Sequence, residues 1–305
     1  MVDVSHDANH YPEDESDVGF QESWALTWLD PVSRIAGWHH FGMQRVRGIT
    51  DINSYISREG HILGRYVDLA MPMPDGDFTR LDLGSIQIES LEPLKKHAVT
   101  IEHGRARVNL VMEAFVGPFF RGHREAPSHW ESFGEVTGTA EIDGRITPLK
   151  GLAFQDRSWG SRNLESLVAC RLVTAIFGTD LIFRIFEMTY ANEKQVHGLV
   201  IDNGVHREIA HAELVAGMSG DGLNISDIAA RLWTVDMRGY HLGGTSLDKD
   251  IQGNRDGKVS IQGNFIFECG GRQGVGFVVD LRGMTEEHRN WIENRYADTP
   301  GFNGA

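Results

Sequence analysis

Short runs of alternating apolar and polar residues, separated by glycine-containing turns, occupy most of this chain. The clearest run, Glu135 to Ile142, leads into Asp143-Gly144 and returns as Arg145 to Leu149. A period of two is typical of a strand with one buried face, and Asp-Gly tolerates the positive φ angles of a tight hairpin. The pattern therefore predicts a chain built mainly from antiparallel strands.

The glycine content supports this interpretation, since the 305 residues include 35 glycines but only nine prolines. The pattern predicts about fifteen or more short strands and one clear helix, which starts after the N-cap Thr285 and runs to Tyr296. The segment Ile228 to Trp233 fits either a helical turn or a strand. We predict an all-β fold of two consecutive lipocalin-like β-barrels, or barrel-like sandwiches, with a short C-terminal helix.

Composition along the chain predicts three parts. Residues 1–18 are polar and acidic, which indicates a disordered or loosely docked arm. Residues 19–150 form the predicted N-terminal lipocalin-like domain. Residues 151–305 form the predicted C-terminal lipocalin-like domain, which carries the terminal helix.

Charge and hydropathy exclude several classes of partner. The net charge of −14 opposes binding to a nucleic-acid backbone. No stretch is long and apolar enough for a transmembrane helix, and the acidic start lacks the pattern of a signal peptide. Cys170 and Cys269 both lie in strand-like segments, which predicts two buried thiols in a reducing compartment. We expect a cytoplasmic protein, and a homo-oligomer is left open.

The densest cluster of chemically capable residues is the segment Gly151 to Arg162, where an apolar run ends in Asp156-Arg157-Ser158-Trp159-Gly160. In an apolar site, desolvation and a neighbouring guanidinium act on a carboxyl group in opposite directions. Asp156 is therefore either a catalytic acid or base, or half of a buried Asp–Arg brace with Trp159 as core filler. The sequence leaves both interpretations open.

Two histidine-containing segments add candidates for acid–base chemistry. In Trp38-His39-His40-Phe41, strand alternation points the two histidines to opposite faces, so only one faces a given cavity. In Arg121-Gly-His-Arg124, His123 is either a neutral base between two arginines or part of a solvated loop. The absence of metal-binding spacings and of nucleotide-binding glycine motifs predicts no metal and no cofactor.

The segment Phe154 to Arg162 resembles the D-[RH]-x-W-G-x-R motif of the hydroxyneurosporene synthase (carotenoid 1,2-hydratase)-like superfamily, which includes the AttH-like tandem lipocalin-like proteins. The early strand with Trp24 and Trp28 and the late hairpin of residues 268–280 are similar in style. The resemblance covers the chain loosely from about residue 20 to about residue 285.

This resemblance implies two lipocalin-like barrels without a cofactor, and acid-catalysed addition of water to an isoprenoid double bond. It implies that Asp156 is the proton donor and that Trp159 lines the cavity, where its ring stabilises a carbocation. His40 or His123 would then act as base or hold water. The residues predicted to bind substrate are Trp159, Arg157, Trp38, Trp24 and Arg162.

The resulting hypothesis is a cofactor-independent hydratase, dehydratase or isomerase that acts on a hydrophobic, isoprenoid- or polyketide-like small molecule. One alternative is a non-catalytic carrier of a lipophilic ligand, because a fold does not decide a function. Another is a pericyclic cyclase of natural-product biosynthesis, a function that the resemblance also includes.

Overall fold

The computed structural model describes residues 3–120, 128–162, 166–220, 222–253, 257–297 and 299. The chain divides into two compact units, whose main parts are Met1–Asn163 and Leu164–Ala297. Each unit is built on one antiparallel sheet, and the described residues include one α-helix. The predicted all-β class with a short C-terminal helix is confirmed.

The first unit is an open half-barrel of eleven strands. Its strands are β1 Phe20–Asp30, β2 Ile35–Gln44, β3 Ile49–Arg58, β4 His61–Pro72, β5 Gly76–Asp77, β6 Arg80–Asp82, β7 Ile86–Glu92, β8 Lys96–His103, β9 Ala106–Phe120, β10 Ser128–Ile142 and β11 Arg145–Ser161. Their order is β4-β3-β2-β1-β11-β10-β9-β8-β7-β6-β5, which leaves β4 and β5 at the edges. Short 3₁₀ turns cover Val4–Asp7 and Arg45–Arg47.

The second unit contains a closed barrel of eight strands. Its elements are β12 Leu167–Ile176, β13 Leu181–Tyr190, β14 Lys194–Asp202, β15 Val205–Met218, β16 Ile225–Thr234, β17 Gly239–Ser246, β18 Asp250–Gly253, β19 Lys258–Cys269, β20 Arg272–Gly283 and helix α1 Glu286–Tyr296. Pairing of β17 with β19 closes the barrel, and β18 pairs with β19 outside that ring.

Local sequence signals account for several of these elements. Asp143 and Gly144 have φ angles of 50° and 77°, which confirms the predicted tight hairpin between β10 and β11. The Thr285 side chain accepts a hydrogen bond from the His288 amide and begins α1, as predicted. The ambiguous segment around Ile228 is the strand β16, because β15 and β17 pair with it on both sides. Among the described helices, none is long and apolar enough to cross a membrane.

The strand β11 lies at the centre of the first unit. It runs without a break through residues 150 and 151 and pairs with β10 on one side and β1 on the other. One side of the sheet carries the main apolar core, to which Trp24, Leu26 and Trp28 of β1 contribute fully buried side chains. Alternating residues of these central strands therefore belong to two different environments.

A chain of hydrogen bonds crosses the core side of the half-barrel. Trp28 Nε1 donates to His39 Nε2 at 2.9 Å, so the ring proton of His39 lies on Nδ1, which donates to Ser54 Oγ at 2.6 Å. Ser54 Oγ then donates to His103 Nε2 at 2.5 Å, and His103 Nδ1 donates to the Glu102 carbonyl at 2.8 Å. Each imidazole uses one nitrogen as donor and one as acceptor, which requires both rings to be neutral.

This chain predicts a loss of stability in mild acid. Burial lowers the pKa of His103 to about 4 and holds that of His39 well below its usual value. The unfolded chain takes up protons below a pH of about 6.5, whereas the folded chain does not. The stabilisation is complete above pH 6.5 and declines as the pH falls toward 4, by about 1.4 kcal/mol per pH unit for each histidine.

Urea unfolding at pH 7, 6 and 5 measures this loss. We expect His103→Gln to give a shallower dependence of the free energy of unfolding on pH than the wild type. Equal pH dependence in the two proteins would contradict a neutral His103 in the folded state.

Candidate active site on the first sheet

Strand alternation separates the two residues at the centre of the sequence motif. Asp156 and Arg157 lie on opposite sides of β11, and cross-strand partners share a side. Asp156 lies opposite Glu131 of β10 and Ala25 of β1, and Ala25 lies opposite His40 of β2. We call this side the Asp156 face. In the central strands it comprises Ser23, Ala25, Thr27, Trp38, His40, Gly42, Asp51, Asn53, Tyr55, His129, Glu131, Phe133, Phe154, Asp156 and Ser158.

One histidine and two carboxylates meet on this face. His129 Nε2 lies 3.8 Å from Asp156 Oδ2 and 3.7 Å from Glu131 Oε1. The ligand atoms of all three lie within 4.8 Å of one another, the one His/Cys/carboxylate group of that kind in the described part of the chain. Such a set can hold a shared proton, a water molecule or a small cation. His129 and Glu131 are buried, whereas the Asp156 side chain is 23% exposed.

His40 faces the same region from two strands away. The Trp38 ring stacks on His40 at 6.0 Å with an interplanar angle of 7°. Burial lowers the pKa of His40, and the positive charge of Arg162 acts in the same direction against the carboxylates of Asp51 and Asp156. A lowered pKa keeps the imidazole neutral at physiological pH. The neutral imidazole is the form that accepts a proton.

Arg162, just beyond the end of β11, folds back over this face. Its Nη2 donates to Ser158 Oγ at 2.8 Å, to the Ser158 carbonyl at 3.3 Å and to Ser23 Oγ at 3.4 Å. Burial lowers the pKa of Arg162 to about 10, against the opposing charges of Asp156 and Asp51. Arg162 therefore stays charged at neutral pH and places a cation beside the carboxylates.

Exposure varies across the Asp156 face. Trp38, His40, Asp156 and Arg162 are partly exposed, while Ala25 between Asp156 and His40 is buried. Ala25 carries only a methyl group between the larger side chains of Asp156 and His40, and we call this position the notch. Phe133, Phe154 and Tyr55 are also buried, in the neighbouring cross-strand row that contains Trp38. The notch thus has polar groups on one side and aromatic rings on the other.

The remaining predicted substrate-binding residues lie on the opposite side of the sheet. Arg157 Nη2 donates to Glu22 Oε1 at 2.6 Å, and Arg157 Nη1 donates to Asp7 Oδ1 at 3.3 Å. The direct Asp156–Arg157 pair, one of two interpretations of this segment, is not formed, because adjacent strand residues point apart. Trp24 stacks on Phe41 in the core, with ring centroids 5.5 Å apart.

Trp159 shares the Arg157 side. Its ring is stacked on that of His10, with centroids 3.7 Å apart and an interplanar angle of 8°. The structure therefore brings together Asp156, His40, Trp38 and Arg162, and places Trp24, Arg157 and Trp159 elsewhere. The candidate base His123 lies outside the described residues.

The sequence interpretation missed Glu131 and gave His129 no role, although a signal for both was present. The Asp143-Gly144 hairpin sets Ile142 opposite Arg145, and extending this register outward brings Glu131 opposite Asp156. His129 is two residues from Glu131 and therefore on the same side. The predicted strand begins only at Glu135 and therefore includes neither residue.

Comparison with known proteins assigns the chain to a family. The sequence model of a family described as "Domain of unknown function (DUF7064)" matches residues 3–290. The chain belongs to this family. No curated protein matches the sequence.

Three solved structures share the fold. A protein described as AttH from Nitrosomonas europaea has a TM-score of 0.63 and 16% identity, over 88% of this chain and 93% of that one. Kievitone hydratase from Nectria haematococca has a TM-score of 0.62 and 13% identity, over 88% and 90%. CghA, in a crystal structure with Sch210972, has a TM-score of 0.60 and 12% identity, over 87% and 89%. The likeness confirms the predicted AttH-like fold.

Proposed function

We propose that this chain is a cofactor-independent lyase that adds water to, or removes it from, a hydrophobic small molecule at the notch over Ala25. One observation carries the proposal. The partly exposed Asp156 is backed by His129 and Glu131, and it faces His40 across the notch. An acid on one side of a reacting bond and a neutral base on the other is what hydration of a double bond requires.

The arrangement supports a balanced reaction. In the hydration direction, the bound apolar substrate excludes water and favours the neutral carboxyl group of Asp156 against the charge of Arg162. This carboxyl group gives its proton to one alkene carbon, and a water oxygen bonds to the other. His40 Nε2 or Nδ1 takes the proton that the water loses, and that proton returns to Asp156 after the product leaves. Dehydration follows the same steps in reverse. His129 lies 3.8 Å from Asp156 and 3.7 Å from Glu131, so its imidazole stands between the two carboxyl groups and helps to position Asp156.

Two further observations support this class of reaction. The aromatic row beside the notch suits an apolar or unsaturated substrate, and the faces of its rings stabilise positive charge on carbon. One of the proteins with the same fold is named a hydratase. The isoprenoid- or polyketide-like nature of the substrate rests on the sequence resemblance.

The test measures the masses of the small molecules that the protein binds and releases. The purified full chain is incubated with a hydrophobic extract of the cells that produce it, and bound and released compounds are compared by mass spectrometry. A hydratase or dehydratase changes a compound by the mass of one water. Compounds that are bound and released unchanged would indicate a carrier instead. A compound released with the same mass but a different chromatographic retention time would indicate an isomerase or a cyclase.

The notch itself makes a separate prediction. Ala25→Leu places a branched side chain between Asp156 and His40 and should weaken binding of the selected compound by about tenfold or more. Thr27→Val, on the same strand and face, alters no volume in the notch and serves as the matched control. If the two variants bound the compound with equal affinity, Ala25 would not be part of the binding site.

A further inference from the structure

The segment before β1 inserts an aspartate into the core side of the half-barrel. Asp7 is 7% exposed, although it lies in an otherwise largely exposed stretch. Its Oδ2 accepts from the Leu94 amide at 3.0 Å and from Ser90 Oγ at 3.2 Å, and lies 3.4 Å from His97 Nε2. Its Oδ1 accepts from Arg157 Nη1 at 3.3 Å. We call Ser90, Leu94, His97 and Arg157 the carboxylate pocket.

The carboxylate pocket is built by the sheet and not by the segment that fills it. Its members come from β7, the turn after it, β8 and β11. Leu94 has a φ of 64°, a left-handed backbone that is costly for a residue with a side chain, and this conformation aims its amide at the carboxylate. The guanidinium of Arg157 lies over the Phe78 ring at 3.4 Å, which fixes its orientation. Strain and fixed donors of this kind are found where a protein holds a ligand.

A second contact fastens the same segment. His10 Nδ1 lies 2.8 Å from Glu22 Oε1, and the His10 ring is stacked on Trp159. The carbonyl oxygen of Ala8 accepts from Arg157 Nη2 at 2.6 Å. The segment thus offers an acid to the carboxylate pocket and an imidazole to a buried acid. The residues that follow, 11–18, are largely exposed, and segments with few buried apolar contacts are those that open locally.

We propose that the carboxylate pocket is a ligand site of the first unit and that Asp7 is its tethered occupant. A small-molecule carboxylate takes the place of Asp7 when the segment before β1 leaves. The site is separate from the Asp156 face, and it gives Arg157, which the proposed reaction does not use, a recognition role.

The experiment replaces the tethered carboxylate by a free one. Asp7→Ala empties the carboxylate pocket and should lower the midpoint of thermal unfolding. Sodium formate and sodium acetate should restore the midpoint in a saturable manner in the millimolar range, which is typical of the effective concentration of a tethered ligand. Sodium chloride at equal ionic strength should not restore the midpoint, and neither should formamide, which is neutral.

Two further variants control the result. Asp7→Asn fills the pocket with a neutral amide and should show no formate-dependent recovery. Asp7→Ala combined with Arg157→Lys keeps the charge but loses the planar fork, and should need at least about ten times more formate. Asp7→Ser, assayed in the same way, replaces Asp7→Ala if that variant is insoluble. The proposal would be overturned if formate did not restore the midpoint of Asp7→Ala, or if chloride or formamide restored it equally well.

Discussion

Arg157→Met lowers the free energy of unfolding by about 3–5 kcal/mol in this account, the largest stability effect that we expect from one substitution. The Arg157 guanidinium is fully buried and contacts Glu22 at 2.6 Å and Asp7 at 3.3 Å. Methionine fills a similar volume, so the loss comes mainly from the two carboxylates that are left beside an apolar group. Denaturant unfolding followed by tryptophan fluorescence measures it.

Two variants separate this cause from a simple loss of packing. Arg162→Met removes a less buried cation, with hydrogen bonds to Ser158 and Ser23, from the opposite side of the sheet and should cost less, about 1–3 kcal/mol. Glu22 also contacts Arg45 and His10, so adding Glu22→Gln to Arg157→Met should recover only a small part of the stability. Similar losses for Arg157→Met and Arg162→Met would show that burial of the ion pair does not govern stability here.

Asp156→Asn reduces turnover by about 10²–10⁴-fold, the range expected when a general acid is removed. Asparagine keeps the shape of the side chain but cannot give up a proton to carbon. Because Asp156 is partly exposed, the unfolding midpoint should change little. Turnover is measured on the compound that the extract experiment identifies.

Asp51→Asn is the matched control for this loss of activity. Asp51 lies on the same face, three strands from Asp156, and also acts on the charges of His40 and Arg162. We expect its replacement to change turnover by less than about tenfold, since it removes a distant charge and no proton donor. If Asp156→Asn and Asp51→Asn lower turnover equally, the effect is one of general charge, and Asp156 is not the acid.

Local sequence rules were sufficient where the determinants are local. The Asp143-Gly144 turn and the Thr285 cap could be predicted from the sequence because each depends on a few adjacent residues. The same turn also sets the register of β10 on β11, so the position of Glu131 opposite Asp156 could have been predicted, although it was not. The period of two also indicated that His39 and His40 point apart, and the structure places them on opposite sides.

Other features depended on pairings that are distant in sequence. β1 pairs with β11 across more than a hundred residues, and no local signal sets that register. The sequence could not decide which side of β11 faces the core, or whether Trp24 shares a side with Asp156 or with Arg157. The position of Trp159 on the Arg157 side follows from strand alternation alone. Nor does the polar composition around Asp7 reveal a buried ion pair, because its partners Arg157 and His97 lie far along the chain.

In our proposal, one side of β11 is reactive at Asp156, and the other side carries the buried ion pairs of Arg157. The most direct test is ¹⁸O incorporation from labelled water into the product, measured for the wild type and for Asp156→Asn under identical conditions. We predict that with the wild type the hydrated compound, whether it is the product or the substrate re-formed by the reverse step, gains one ¹⁸O atom, and that with Asp156→Asn, still folded, it gains almost none. A labelled product formed at the wild-type rate by Asp156→Asn would contradict the account.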